Sequence, residues 1–161
     1  MNKELLKKDR MRFVKNKTSS NLAYLAIIFN VLYFISIYSS DVGNHYYTIL
    51  IGVSVVYNLL FLLAAFLSSE GLKNYKISYA VVIAVIGAMQ IVRIFGFPID
   101  GITNTISDGT KVMSTGQFVY VVCMLSLSAT CAIASGVIGI VRAKELEAYK
   151  KSIQESALEA K

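Results

Sequence analysis

QFVYVVCMLSLSATCAIASGVIGIV, residues 117–141, carries no Asp, Glu, Lys, Arg or His. At 1.5 Å per residue, a helix of this length exceeds the roughly 30 Å hydrocarbon core of a bilayer. Three further blocks are apolar, 21–38, 48–67 and 77–97, the last with Arg93 as its one charged residue and stopped by Pro98, the only proline. A buried helix of a soluble protein can also be apolar all round. Four such blocks in 161 residues, however, leave no sequence to cover them. Composition agrees, because 55% of residues are hydrophobic and 16% charged, against about 25% charged in a soluble domain. The fold class read from the chain is all-α, an integral membrane four-helix bundle forming a single membrane domain over 1–161.

Charge placement orients the bundle. The net charge of +6 concentrates at the ends. Residues 1–20 form a basic tail with Lys3, Lys7, Lys8, Arg10, Arg12, Lys15 and Lys17. Lys73 and Lys76 follow the second block, and Arg142, Lys144, Lys150, Lys151 and Lys161 follow the fourth. The other two loops hold Asp41, His45, Asp100 and Asp108, with Lys111 their only basic residue. The positive-inside rule places both termini and the middle loop in the cytoplasm of a cell membrane. The basic tails point to a lipid surface, not to nucleic acid. The first block lacks a small-x-small cleavage pattern after it and reads as an uncleaved signal anchor. Tyr38, Tyr46 and Tyr47 flank the first outer loop at interfacial depth.

The outer loop 98–116 contains two turn dipeptides, Asp100-Gly101 and Asp108-Gly109. Ile102, Asn104 and Ile106 alternate between them, so a small hairpin and an irregular loop are equally compatible with it. Asn16-Lys17-Thr18 matches a glycosylation sequon on the cytoplasmic side, where it has no meaning. Residues 142–161 read as an amphipathic cytoplasmic helix with Leu146, Tyr149, Ile153 and Ala157 on one face and a favourable Glu147–Lys151 pair. It either continues the fourth span or kinks near Arg142. Docking on a partner and resting on headgroups are both open to it.

Each span has a small or polar face suited to close helix packing. The first carries Ala23, Ala26, Asn30, Tyr33 and Ser40; the second Ser54, Asn58 and Ala65. The third carries Ala80, Ala84, Gly87 and Gln90; the fourth Ser128, Ala132, Ser135 and Gly139, with Cys131 beside them. Cys123 and Cys131 stand about 12 Å apart along a helix axis, too far for a disulfide. Arg93 is the one ionisable residue within a span. It sits near the outer helix end at the margin of the small-residue face. Snorkelling or pairing with Asp100 or Asp41 is one reading; an interface or ligand role is the other. Asn30, Tyr33, Ser54, Asn58, Gln90, Arg93, Ser128, Ala132, Ser135 and Gly139 are thus the candidate packing or partner-contact residues.

Catalytic chemistry finds no purchase. His45 is the only histidine, which excludes a haem with two axial histidines in one chain. No metal-ligand cluster, phosphate-binding loop, nucleophile motif or paired carboxylates occur, so no cofactor and no enzyme is expected. A multidrug-type exporter needs an embedded carboxylate that is absent here. A vitamin importer's binding component has more spans, and a holin has fewer.

The blocks Val55-Val56-Tyr57-Asn58-Leu59-Leu60 and Gln90-Ile91-Val92-Arg93-Ile94-Phe95, with the Lys/Ile/Tyr/Asn-rich composition, resemble small uncharacterised membrane proteins of Gram-positive bacteria. Some of those are encoded beside carbohydrate ABC importers, as in raffinose-utilisation operons. The resemblance covers the general layout and carries no functional residues across. It implies an accessory or stabilising subunit of a sugar-transport complex, partnered by other integral membrane subunits. The alternative from a different class is a small self-assembling channel or small-solute transporter.

Overall fold

Asn16 starts the first helix. Its side-chain Oδ1 accepts from the Ser19 amide at 3.4 Å, which satisfies one of the donors a helix N-terminus leaves open. In the computed structural model, which describes residue 6 and residues 9–38, 49–105, 109 and 111–159, this helix, α1, spans Lys17–Tyr38. α2 spans Ile49–Lys73, α3 Ile77–Ile94, α4 Phe97–Thr103 and α5 Thr115–Glu159. Ser40, Asp41, His45, Tyr46, Tyr47, Ile106, Asp108, Lys3, Lys7, Lys8 and Lys161 lie outside the described residues.

The described residues are all-helical apart from an isolated bridge, and four helices are long and apolar enough to cross a membrane. They form a ring in which α1, α2, α3 and α5 each pack on two neighbours. α5 packs most extensively, against α3 and α1. α2 meets α3 least of the adjacent pairs. The chain reverses between α2 and α3 in three residues. Lys76 and Tyr75 donate their amides to Gly71 and Leu72, which is the Schellman pattern of helix termination. Tyr75 takes the left-handed conformation, φ 57°, a place where glycine is usual. Its hydroxyl donates to Val14 O at 2.9 Å and ties the turn to the N-terminal segment.

Close approach of α5 relies on small residues. Ser135 Oγ donates to Ser19 O at 2.7 Å, and Ser19 Oγ donates in return to Ser135 O. Ser128 Oγ donates to Ala26 O at 2.8 Å. Ala132 is fully buried, and a Cβ on Gly139 would stand 2.3 Å from Leu72 Cδ2. The neighbouring side of α5 meets α3 through Gly136, where a Cβ would lie 2.7 Å from Ala80 O.

Beyond α3 the sequence expectation needs correction. Pro98 does not merely stop a helix. α3 ends at Ile94, and Pro98 opens the short α4 within its first turn, where a missing amide hydrogen costs nothing. The described part of the loop combines a short helix with antiparallel pairing on either side of Asp108-Gly109, and residues 106–108 and 110 lie outside the described residues. After α4 a single antiparallel bridge joins Thr105 and Lys111, and Met113 donates its amide to Gly101 O at 2.8 Å. Val112 and Met113 are buried against Tyr33, Ile37, Val121 and Leu125 and close that end of the bundle.

α5 passes Arg142 as one helix to Glu159. Leu146 is buried, and Tyr149 donates to Asp9 Oδ1 at 3.4 Å. Lys151 pairs forward with Glu155 at 3.9 Å rather than back with Glu147. An exposed i,i+4 pair is worth only about 0.3–0.5 kcal/mol, too little for its favoured order to fix the partner of Lys151.

Candidate functional site

Two apolar clusters fill the bundle. One, around Ala23, Ala26, Phe61, Ala65, Leu72, Ala80, Ile83 and Ala132, occupies the half nearer the tails. The other surrounds Met113 at the far end. Between them lies a polar layer. Asn30 stands 13 residues into α1, Asn58 15 residues before the end of α2, and Arg93 16 residues into α3. At 1.5 Å per residue these are about 20, 22 and 24 Å from the tail end, so three helices deliver polar groups at one level.

Arg93 turns inward. Its Nη1 donates to Asn58 Oδ1 at 2.8 Å, Asn30 Oδ1 at 3.4 Å and Gln90 Oε1 at 3.5 Å. Its Nη2 donates to Ser54 Oγ at 3.3 Å. Gln90 Nε2 donates to Asn30 Oδ1 at 2.8 Å, and Asn30 Nδ2 to Asn58 Oδ1 at 3.3 Å. Asn58 Nδ2 closes the set on Ser54 O at 2.8 Å. A guanidinium only donates, so the amides present their oxygens to it. The Tyr33 and Tyr57 rings lie against the same guanidinium, with centroids 4.4 and 4.8 Å from Cζ, a favourable cation–π arrangement. Tyr33 is buried, and its hydroxyl has no hydrogen-bond partner among the described residues.

Asp41 lies outside the described residues. The described hydrogen-bond partners of Arg93 are thus the neutral Asn30, Ser54, Asn58 and Gln90 rather than Asp100. The reason is that Asn30 and Asn58 stand across from it and supply acceptors that the outer interface supplies only at the cost of exposing the cluster. Asn30, Tyr33, Ser54, Asn58, Gln90 and Arg93 thus come together. Ser128, Ala132, Ser135 and Gly139 do not join them and serve the α5 contacts instead. Tyr57 joins the cluster without having been singled out; its position one residue before Asn58 and three after Ser54 is the signal that could have found it.

The tail end holds a second group that the sequence reading passed over. Asn16, dismissed as an irrelevant sequon, is buried; it accepts from Arg142 Nη1 at 2.7 Å and donates its backbone amide to Lys73 O at 3.1 Å. An Asn just ahead of an apolar run is a capping signal, and that was legible.

The polar layer can stabilise negative charge. It holds no group with a proton to exchange near neutrality, since amides and arginine do not titrate there. Among the described residues no three His, Cys, Asp or Glu gather as metal ligands. The fold and this layer define a helical chain with four helices fit to cross a membrane and one cation lodged among them. Compared with family models, curated proteins and solved structures, the chain has no match in any of the three.

Proposed function

We propose that the chain is a non-catalytic accessory or stabilising subunit of a larger complex in the cell membrane, with four spans and both tails cytoplasmic. A carbohydrate ABC importer is the kind of complex proposed. The observation that carries this reading is α5, which continues without a break from its apolar part into the tail. Leu146 and Tyr149 are engaged with the rest of the chain, whereas Ile153 and Leu158 further along are exposed. Exposed apolar positions on a helix held rigidly by its membrane part are suited to a partner's cytoplasmic face. The gathering of basic residues around the tail end supports the orientation. Solubilisation in mild detergent tests the idea: the protein is expected to elute with integral membrane partners in fixed stoichiometry. A lone monomer from native membranes sinks it.

A second reading, a self-assembling channel or small-solute transporter, draws on the buried Arg93 cluster. Solute flux in proteoliposomes of the pure protein separates the two, because an accessory subunit passes none. The mutual hydrogen bonding of Asn30, Asn58 and Gln90 favours the first reading, since a conducting path needs such groups turned to the solute.

A further inference from the structure

Two cavities lie in the seam between α2 and α3, about 360 and 270 Å³ in volume. Both are lined by Tyr57 and Met89, so they form one groove. Along α2 it runs from Leu67 to Val53, 14 residues and about 21 Å of helix. Its walls are apolar from Leu67 through Leu63 and Leu60. Tyr57 lines both cavities, and Ser54 and Arg93 line the far one beside Gly96 and Phe97. Arg93 is part-buried and reaches the groove while its described hydrogen-bond acceptors are all neutral. Its charge is therefore solvated but not balanced by a described carboxylate.

We propose that this groove holds an anionic phospholipid, one acyl chain lying along Leu60, Leu63 and Leu67 and the phosphate resting on Arg93. Three features favour a lipid over a partner's helix. The seam is narrow, because α2 and α3 remain in contact, whereas a helix with side chains is about 10 Å across. The one charged side chain that lines the groove, Arg93, stands in its far half, as a phospholipid's charge stands at one end. The cation stands about 24 Å up α3, toward the headgroup level of a roughly 30 Å core. Phosphate is also the anion that a planar guanidinium recognises best. The proposal rests on the membrane placement of the four helices and is independent of the accessory-subunit reading.

Native mass spectrometry of the delipidated full-length protein tests it. The probe is an equimolar mixture of phosphatidylglycerol and phosphatidylcholine with identical acyl chains. Wild type is expected to retain phosphatidylglycerol about tenfold more strongly, the scale of one charge-assisted contact. Arg93→Gln should abolish the preference. Met89→Trp, which fills the groove and keeps the charge, should reduce retention of both lipids. Lys73→Gln with Lys76→Gln, at the tail end, should leave the preference intact. Equal retention of the two lipids by wild type overturns the proposal without reference to any variant. So does a preference that survives Arg93→Gln or vanishes with the lysine pair. Displacement of the lipid by millimolar inorganic phosphate, or occupation of the groove by a partner's acidic helix in native membranes, overturns it as well.

Discussion

Arg93 carries a charge inside an apolar helix, toward its outer end; insertion scales assign an arginine a cost of about 2.5–3.5 kcal/mol at a helix centre and less toward the interface. Four neutral acceptors and two aromatic faces offset it. Asn58 makes the shortest of these bonds, at 2.8 Å. Asn58→Leu is expected to destabilise the bundle by about 1–3 kcal/mol, the cost of leaving a part-buried donor unmatched. Unfolding by denaturing detergent reads it. In an Arg93→Met background the same change should cost less by at least about 0.5 kcal/mol. Equal costs in the two backgrounds would show that the two side chains are not coupled. The sequence marks Arg93 as exceptional because it is the lone ionisable residue of its block. It does not mark the direction of the side chain, which depends on Asn30 and Asn58 across the bundle.

Helix packing depends on backbone proximity between α3 and α5. Gly136→Leu places carbon against Ala80 O and is expected to cost about 1–3 kcal/mol by overpacking. Gly52 meets nothing within 4 Å, so Gly52→Ala should stabilise α2 by about 0.5–1 kcal/mol. Thermal aggregation of the two variants should shift in opposite directions. The α2–α3 turn adds a pH signature. Burial holds the Tyr75 phenol above its usual range, with Arg142 pulling the other way. A raised folded value means that its stabilisation is complete below about pH 10 and is lost as the phenol ionises above that. Tyr75→Phe removes the bond to Val14 O. It should cost about 1 kcal/mol at neutral pH and flatten the alkaline loss, as pH-dependent unfolding would reveal. The small-residue faces were legible as stripes at helical spacing. Gly136 was not, because the stripe of Ser128, Ala132, Ser135 and Gly139 does not reveal that the side next to it also meets the α3 backbone at Ala80.

The whole molecule divides into a packed bundle and a projecting tail. Truncation after Tyr149 keeps the contact with Asp9 and removes a segment whose described side chains are exposed. Bundle stability is expected to change by less than about 0.5 kcal/mol, the usual scale for surface changes, while partner co-purification is lost. A melting curve and a pull-down of the truncated chain check both halves. A large stability loss would mean that the tail holds the bundle together, contrary to its exposure.

Residue order alone determined that four helices would form and be apolar enough for a membrane, because long uncharged runs leave a backbone no other way to satisfy its hydrogen bonds in lipid. Charge asymmetry at the ends also lay in the sequence, since it needs only counting. The tertiary structure decided which helices are neighbours and that the loop after Pro98 becomes a cap of helix and buried Met113. It also decided that Arg93 joins Asn30, Asn58, Gln90 and Ser54 rather than reaching outward. Those outcomes depend on partners remote in the chain, and no local periodicity encodes which remote side chain will stand opposite.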